Sequence, residues 1–317
     1  MNTEPRMRVP EEDSRVFTEI AIGVRTSWHV FNHAPTPAPG SAFAQTHELY
    51  PFEPLAERAR EYLRASLEHL IWWADWVAPL KFHPEQETNF SLRPAYTLGR
   101  AALESAAQAV WMLETTSPLE CIRRHICLMR WDLQEHRKSK LDQVEKDGIK
   151  ALETELVHRV SAVFSDEEVR APTGYLSVLR AAAETAQLSL EPNETERLWR
   201  AASGVAHGKY WPTRDLQRTA IAENPDGSST GREMLVPDTK AMAELVSAAF
   251  RMTQFGALRY ADYCGADLVE LHQRAMADIT RALPLREGVD PAWKDLMSAG
   301  LTARLAEMVE GSSEDTT

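Results

Sequence analysis

The sequence predicts an all-α protein, an antiparallel helical bundle carrying one small β-hairpin-like or flexible insertion. Apolar residues recur at helical spacing over long segments, and the prolines gather between those segments rather than inside them. Strand-like runs flank a convincing turn in one place only, within residues 212–237. With 317 residues, 44% of them hydrophobic, the chain holds enough apolar surface for a continuous core. No internal period emerges, which argues against a solenoid.

The elements follow in order. SRVFTEIAIGVRTSWHVFN, residues 14–32, reads as a short helix. It is followed by HAPTPAPGSAF, whose prolines and glycine oppose a helix, so residues 1–53 read as an arm and linker. From Pro54 to Phe82, Leu55, Tyr62, Ser66, Leu70, Trp73 and Val77 fall on one side and Glu57, Arg58, Arg64 and Glu68 on the other. Residues 92–114, 118–146 and 149–164 read as three more helices, with TTSP supplying a break and a cap between the first two. After SDEEVRAPTG come helices over 175–187 and 193–207, the latter capped by Asn193 with Glu196 three residues on. Residues 54–211 thus form the bundle.

In the insertion, LQRTAIAE and REMLV flank NPDGSSTG. Helices resume over 238–264, 266–283 and 291–309 and pack on the bundle. The tail, residues 310–317, is expected to be disordered.

Charge and composition exclude several classes. A formal charge of −12 opposes broad, nonspecific nucleic-acid binding, which needs a surplus of Lys and Arg. Contact with nucleic acid must be local, and the densest basic run is RHICLMRWDLQEHRKSK, residues 124–140. A charged N-terminus and the lack of any stretch of eighteen apolar residues predict no membrane partner. Three cysteines without a CxxC pair fit a reduced, cytoplasmic location. The P-loop, GxGxxG, HExxH and Cys/His zinc patterns do not occur, and GSSTG, residues 227–231, falls in the turn between two strand-like runs and so makes no GxSxG elbow; no cofactor is expected.

Four constellations remain. On the helix over 92–114, Arg93, Thr97, Arg100, Glu104 and Gln108 form a narrow polar stripe. It is either a solvated edge, where an Arg100–Glu104 pair contributes about 0.2–0.5 kcal/mol, or a buried seam in which Arg100 needs Glu104 as its partner. On the next helix, His125, Asp132 and His136 lie on one side among apolar residues, as a hydrogen-bonded network or as metal ligands. Glu155 and His158, spaced i and i+3 as in di-iron carboxylate bundles, would join Asp132 and His136 in the metal alternative, a helical oxidase. Finally, LWRAASGVAHGKYW puts Arg200, Ser203 and His207 on one helix face, near a helix end at Gly208 or Pro212. In a structural role Arg200 pairs with Glu196, Ser203 and Gly204 allow close packing, and His207 favours the C-terminal end of the helix. In a functional role an Arg grips a phosphate and a His moves a proton.

Arg200, six residues and then His207 resemble the R-x(4-6)-H signature of HEPN-domain proteins. RPAYTLGRAALESAAQAVWMLE and the S-x-x-x-H of Ser203 and His207 are similar to HEPN-related bacterial bundles, some tied to abortive infection and toxin systems. The resemblance spans about residues 55–211. It implies a metal-independent ribonuclease in which two motifs meet across a homodimer. Arg200 would grip the scissile phosphate, His207 would activate the 2′-hydroxyl and Ser203 would stand between them. Apart from that resemblance, Arg100, Glu104, Ser203 and His207 are expected to converge across two neighbouring helices, with His125, Asp132 and His136 lining the same polar seam. The acidic charge and Ala201, where the family usually carries a polar residue, favour instead a noncatalytic bundle that binds a protein or small ligand.

Overall fold

The computed structural model describes residues 9–80, 91–223 and 229–282. Acidic Glu11, Glu12 and Asp13 open α1 (Glu11–His33), where negative charge complements the helix dipole. The Ser41 hydroxyl accepts from the Ala44 amide to start α2 (Ala42–Leu49). The amphipathic α3 (Leu55–Val77) and the Ala-rich α4 (Leu92–Leu113) follow. Ser117 caps α5 (Pro118–Ser139), with Pro118 in its first turn, and Asp142 caps α6 (Gln143–Val160). Then come α7 (Tyr175–Ala183), a 3-10 turn at Ala186–Leu188, α8 (Pro192–Ala206) and the short α9 (Trp211–Asp215). A hairpin of β1 (Gln217–Glu223) and β2 (Ser229–Pro237) leads into α10 (Thr239–Tyr263) and α11 (Leu268–Ala282). The fold class is the predicted one, an all-α bundle with one small hairpin among the described residues.

Several boundaries are corrected. The described part of the expected arm, residues 9–53, is not detached: in α1, Phe17, Ile20, Ala21, Val24 and Phe31 belong to the main core, and Phe17 meets Trp73 edge-on at 5.6 Å. A run of eight residues after the last proline, started by a Ser cap, forms α2 inside the segment read as linker. The break between α5 and α6 falls at Lys140, not around Gly148, because Asp142 takes the Glu145 amide at 3.0 Å while Gly148 is absorbed within α6. The cap of α8 is Glu191 rather than Asn193, since Pro192 is preorganised for the first turn. The helix expected to reach Phe82 ends at Val77, where the Ala78 amide closes the last turn on the Ala74 carbonyl, while the 291–309 helix and the 310–317 tail lie outside the described residues.

The core forms around α4, which packs against α3, α5, α7, α8 and α10. Its Ala95, Ala102, Ala106, Ala107 and Ala109 are fully or almost fully buried, and small residues let helix backbones approach closely. A Cβ on Gly99 would sit 3.0 Å from Leu245 Cδ2, and one on Gly256 would sit 2.6 Å from Leu63 Cδ2. At this crossing the buried Ser66 hydroxyl donates to the Ala102 carbonyl at 2.9 Å and pairs with Thr253 Oγ1 at 2.7 Å. Thr253 Oγ1 also lies 2.7 Å from the Ala249 carbonyl, so its single proton is shared between that carbonyl and Ser66. A smaller cluster of Tyr50, Ile122, Ile126, Cys127, Leu156, Val160 and Val169 joins α5 and α6.

The hairpin pairs Gln217 with Pro237 and Thr219 with Leu235, with an irregularity between Ile221 and Glu223. Its base is anchored by buried Leu216 and Val236, while Ile221 and Leu235 are exposed. No helix among the described residues is long and apolar enough to cross a membrane. Cys121, Cys127 and Cys264 are free and buried, and burial raises all three thiols, Cys264 to about 11.

Two glycine substitutions test this packing. Gly256→Val forces a side chain into Leu63 and is expected to destabilise the protein by about 1–3 kcal/mol. Gly148→Ala meets nothing within 4 Å and is expected to stabilise α6 by about 0.5–1 kcal/mol. Urea unfolding of the two variants checks both, and equal midpoints would contradict the crossing geometry.

Candidate functional site

The end of α8 is built from local chemistry. Gly208, at φ 67°, adopts the left-handed conformation that terminates a helix without a Cβ penalty. The Gly208 amide bonds the Val205 carbonyl at 3.0 Å and the Lys209 amide bonds the Gly204 carbonyl at 2.8 Å, the paired bonds of a Schellman motif. The chain then doubles back, so that a Cβ on Gly204 would lie 2.5 Å from Pro212 Cγ. Gly204 and Gly208 therefore fold α9 against the last turn of α8, with His207 at the turning point.

Of the motif residues, Arg200 and His207 are exposed and Ser203 is half-buried. Seven residues apart, Arg200 and His207 are about 20° apart around the helix and roughly 10 Å apart along it. The Arg200 Nε donates to Glu196 Oε1 at 2.7 Å. Glu196 also accepts from Arg180, and these two bonds, Arg200's first, hold its carboxyl below the usual range. Arg200 thus belongs to a surface pair whose carboxylate has a second cation in reserve.

Arg100 and Glu104 form the buried-seam version of their pair. Arg100 Nε donates to Glu104 Oε1 at 2.8 Å with side chains 21% and 12% exposed. The same carboxylate oxygen accepts from Trp199 Nε1 at 2.6 Å, and the Arg100 guanidinium lies 5.8 Å from the Trp199 ring centre. The seam therefore joins α4 to α8 through Trp199, next to Arg200 in the chain, while no bond links it to Ser203 or His207. Trp199 was not among the sequence candidates. Its indole N–H, beside an Arg–Glu pair on a facing helix, was the available signal.

The other seam residues do not assemble. His125 is wholly buried, whereas Asp132 and His136, one face but further along α5, are exposed. Asp132 pairs loosely with Arg58, at 3.8 Å. Glu155 and His158 are exposed as well, and Glu155 pairs with Arg159 at 3.2 Å. Among the described residues Asp132, His136, Glu155 and His158 form no group of three or more donors at ligand distance, because all four lie on solvent-facing sides of α5 and α6 while Trp131 and Leu133 face the core. Among the described residues, the side chains that cluster at ligand distance are His29, His33 and Asp278. The polar link between α5 and α6 is made instead by Glu153, which accepts from Arg130 at 3.0 Å and Gln134 at 2.7 Å.

Beyond His207 the surface changes character. Lys209, Tyr210, Trp211 and Arg214 are all exposed, with Tyr210 at 75% and Trp211 at 49%. Arg214 lies over the Tyr210 ring at 5.7 Å. In a chain of net charge −12, cations interleaved with exposed aromatic rings form a local platform suited to bases and phosphates. The chain matches no protein-family model, no curated protein and no solved structure.

His125 makes a separate prediction. Burial, and then the charge of Arg58, lower its pKa from 6.5 to about 4, against a weaker opposing effect of the Glu53 backbone. Neither ring nitrogen makes a hydrogen bond of ordinary geometry. The folded protein keeps the ring neutral while the unfolded chain takes up a proton, so stability falls as pH drops from 6.5 to about 4. The full effect is on the order of 3 kcal/mol. Denaturant midpoints across that range are expected to fall less steeply in His125→Leu than in the wild type, and parallel curves would refute the assignment.

Proposed function

We propose that the protein is a HEPN-like, metal-independent endoribonuclease working at the α8–α9 edge and completed by a second copy of the chain. The observation that supports this is the accessible face of α8. Arg200 and His207 stand two turns apart on it, and it continues into Lys209, Tyr210, Trp211 and Arg214. The aromatic rings stack bases without reading sequence, and the cations follow the backbone. The Arg200 guanidinium binds the non-bridging oxygens of the scissile phosphate. Moving it from Glu196 leaves that carboxylate paired with Arg180.

The His207 imidazole takes the proton of the 2′-hydroxyl as the 2′-oxygen attacks phosphorus. The bond from phosphorus to the 5′-oxygen breaks, and that oxygen leaves with a proton from solvent. The products are a 2′,3′-cyclic phosphate and a 5′-hydroxyl. A facing second α8 would exclude water and supply a second Arg–His set.

A noncatalytic reading has its own support. The Arg200–Glu196 pair is an ordinary i,i+4 helix pair, and exposed Tyr and Trp are typical anchors for a protein partner. Purified protein incubated with single-stranded RNA in EDTA separates the two. Cleavage to cyclic phosphate ends is expected, with Arg200→Ala and His207→Ala each slower by about 10²-fold or more. Both variants should remain folded, since each removes an exposed side chain. Intact RNA with the wild type, or cleavage unchanged in both variants, leaves the noncatalytic reading.

A further inference from the structure

The histidines of α1 and the last turns of α11 play no part in the α8–α9 surface. His29 and His33 are four residues apart on α1, so both rings leave the same helix face. Asp278 reaches them from α11, which packs against α1. One oxygen, Asp278 Oδ2, lies 2.8 Å from His33 Nε2 and 3.5 Å from His29 Nδ1. The three ligand atoms fall within 4.8 Å of one another.

We propose that His29, His33 and Asp278 form a binding site for a zinc-class divalent cation that clamps α11 to α1. The donor set is two imidazoles and one carboxylate, the combination that suits zinc and its neighbours rather than magnesium or calcium. Donor atoms of a tetrahedral zinc stand about 3.3 Å apart, given bonds of about 2.0–2.1 Å. The His29 contact has that spacing already, and the His33 contact widens by about 0.5 Å on binding.

The surroundings suit the role. The second carboxylate oxygen, Asp278 Oδ1, accepts from Arg281 at 2.8 Å, which fixes the carboxylate and leaves Oδ2 for the cation. The three side chains are 28% to 40% exposed, so the cation reaches the site from solvent and a water completes its fourth position. The rings sit with centres 6.3 Å apart and planes 23° from parallel, so small rotations aim both nitrogens at one point. The clamp adds to a contact the two helices already make, where Thr26 on α1 meets Met276 on α11. This site is independent of the ribonuclease reading, because it lies on other helices and takes no part in the proton transfer.

The test is calorimetric titration of the metal-stripped full chain with Zn²⁺. One equivalent is expected to bind with saturation, and His29→Ala, His33→Ala and Asp278→Asn each to weaken binding at least tenfold. His47→Ala, at an exposed position of α2, is expected to bind as the wild type does, and Mg²⁺ is expected not to compete. Zn²⁺ should raise the Tm of the wild type and of His47→Ala but not of the three ligand variants. Should a ligand variant misfold, the wild type alone decides the matter. Its Co²⁺ form is expected to show a visible ligand-field band that one equivalent of Zn²⁺ removes. A missing band, no saturable Zn²⁺ binding, or equal binding by folded ligand variants overturns the site.

Discussion

The hydroxyl pair of Ser66 and Thr253, buried where α3, α4 and α10 meet, sets how closely the bundle can pack. Ser66 also holds the Ala102 carbonyl, so three helices share one small polar knot inside an apolar core. Each such bond contributes only about 0.5–1.5 kcal/mol net, but an orphaned buried hydroxyl costs about 1–3 kcal/mol, which disfavours any other register. The approach it requires explains the alanines of α4 and the absence of a side chain at Gly99 and Gly256. With that side of α4 closed, its polar stripe lies along the boundary with α8, where Glu104 receives both Arg100 and Trp199.

The C-terminal end of α4 shows how an acidic protein uses its cations. Arg124 donates to the Trp111 carbonyl, Arg259 to the Leu113 carbonyl and Tyr263 to the Thr115 carbonyl. These bonds satisfy carbonyls that a helix end leaves open and tie α5 and α10 to it. Arg25 similarly holds Asp75 at 2.7 Å and the Ala78 carbonyl at 2.9 Å at the end of α3. The basic run over residues 124–140 is spent in the same way, on Glu114, Glu120, Glu153 and Asp166. Exposed cations beside exposed aromatic rings gather instead at the α8–α9 edge.

Both surfaces considered for function stand on rigid supports. The α8–α9 edge is fixed by the Schellman bonds and by the contact of Gly204 with Pro212. The His29–His33 pair is fixed by a helix whose opposite side is buried in the main core. Such supports hold reacting or ligating groups within the narrow limits that chemistry needs.

Sequence periodicity alone determined the helical class, the position of the hairpin and most helix spans, because these depend on 3.6-residue and alternating patterns and on local caps. It also made visible that Arg200 and His207 share a face, and that Arg100 can reach Glu104. Whether residues 14–32 form an arm or part of the core was not legible, since an amphipathic helix reads alike whatever covers its apolar face. The exposure of His136 and burial of His125 were likewise decided by which sides of α5 its neighbours cover. Trp199 and Asp278 found their partners across helices nearly a hundred or more residues distant in the chain. Contacts of that range follow from how helices cross, and the crossing is set by side-chain size at a few buried positions, so only the tertiary structure decided them.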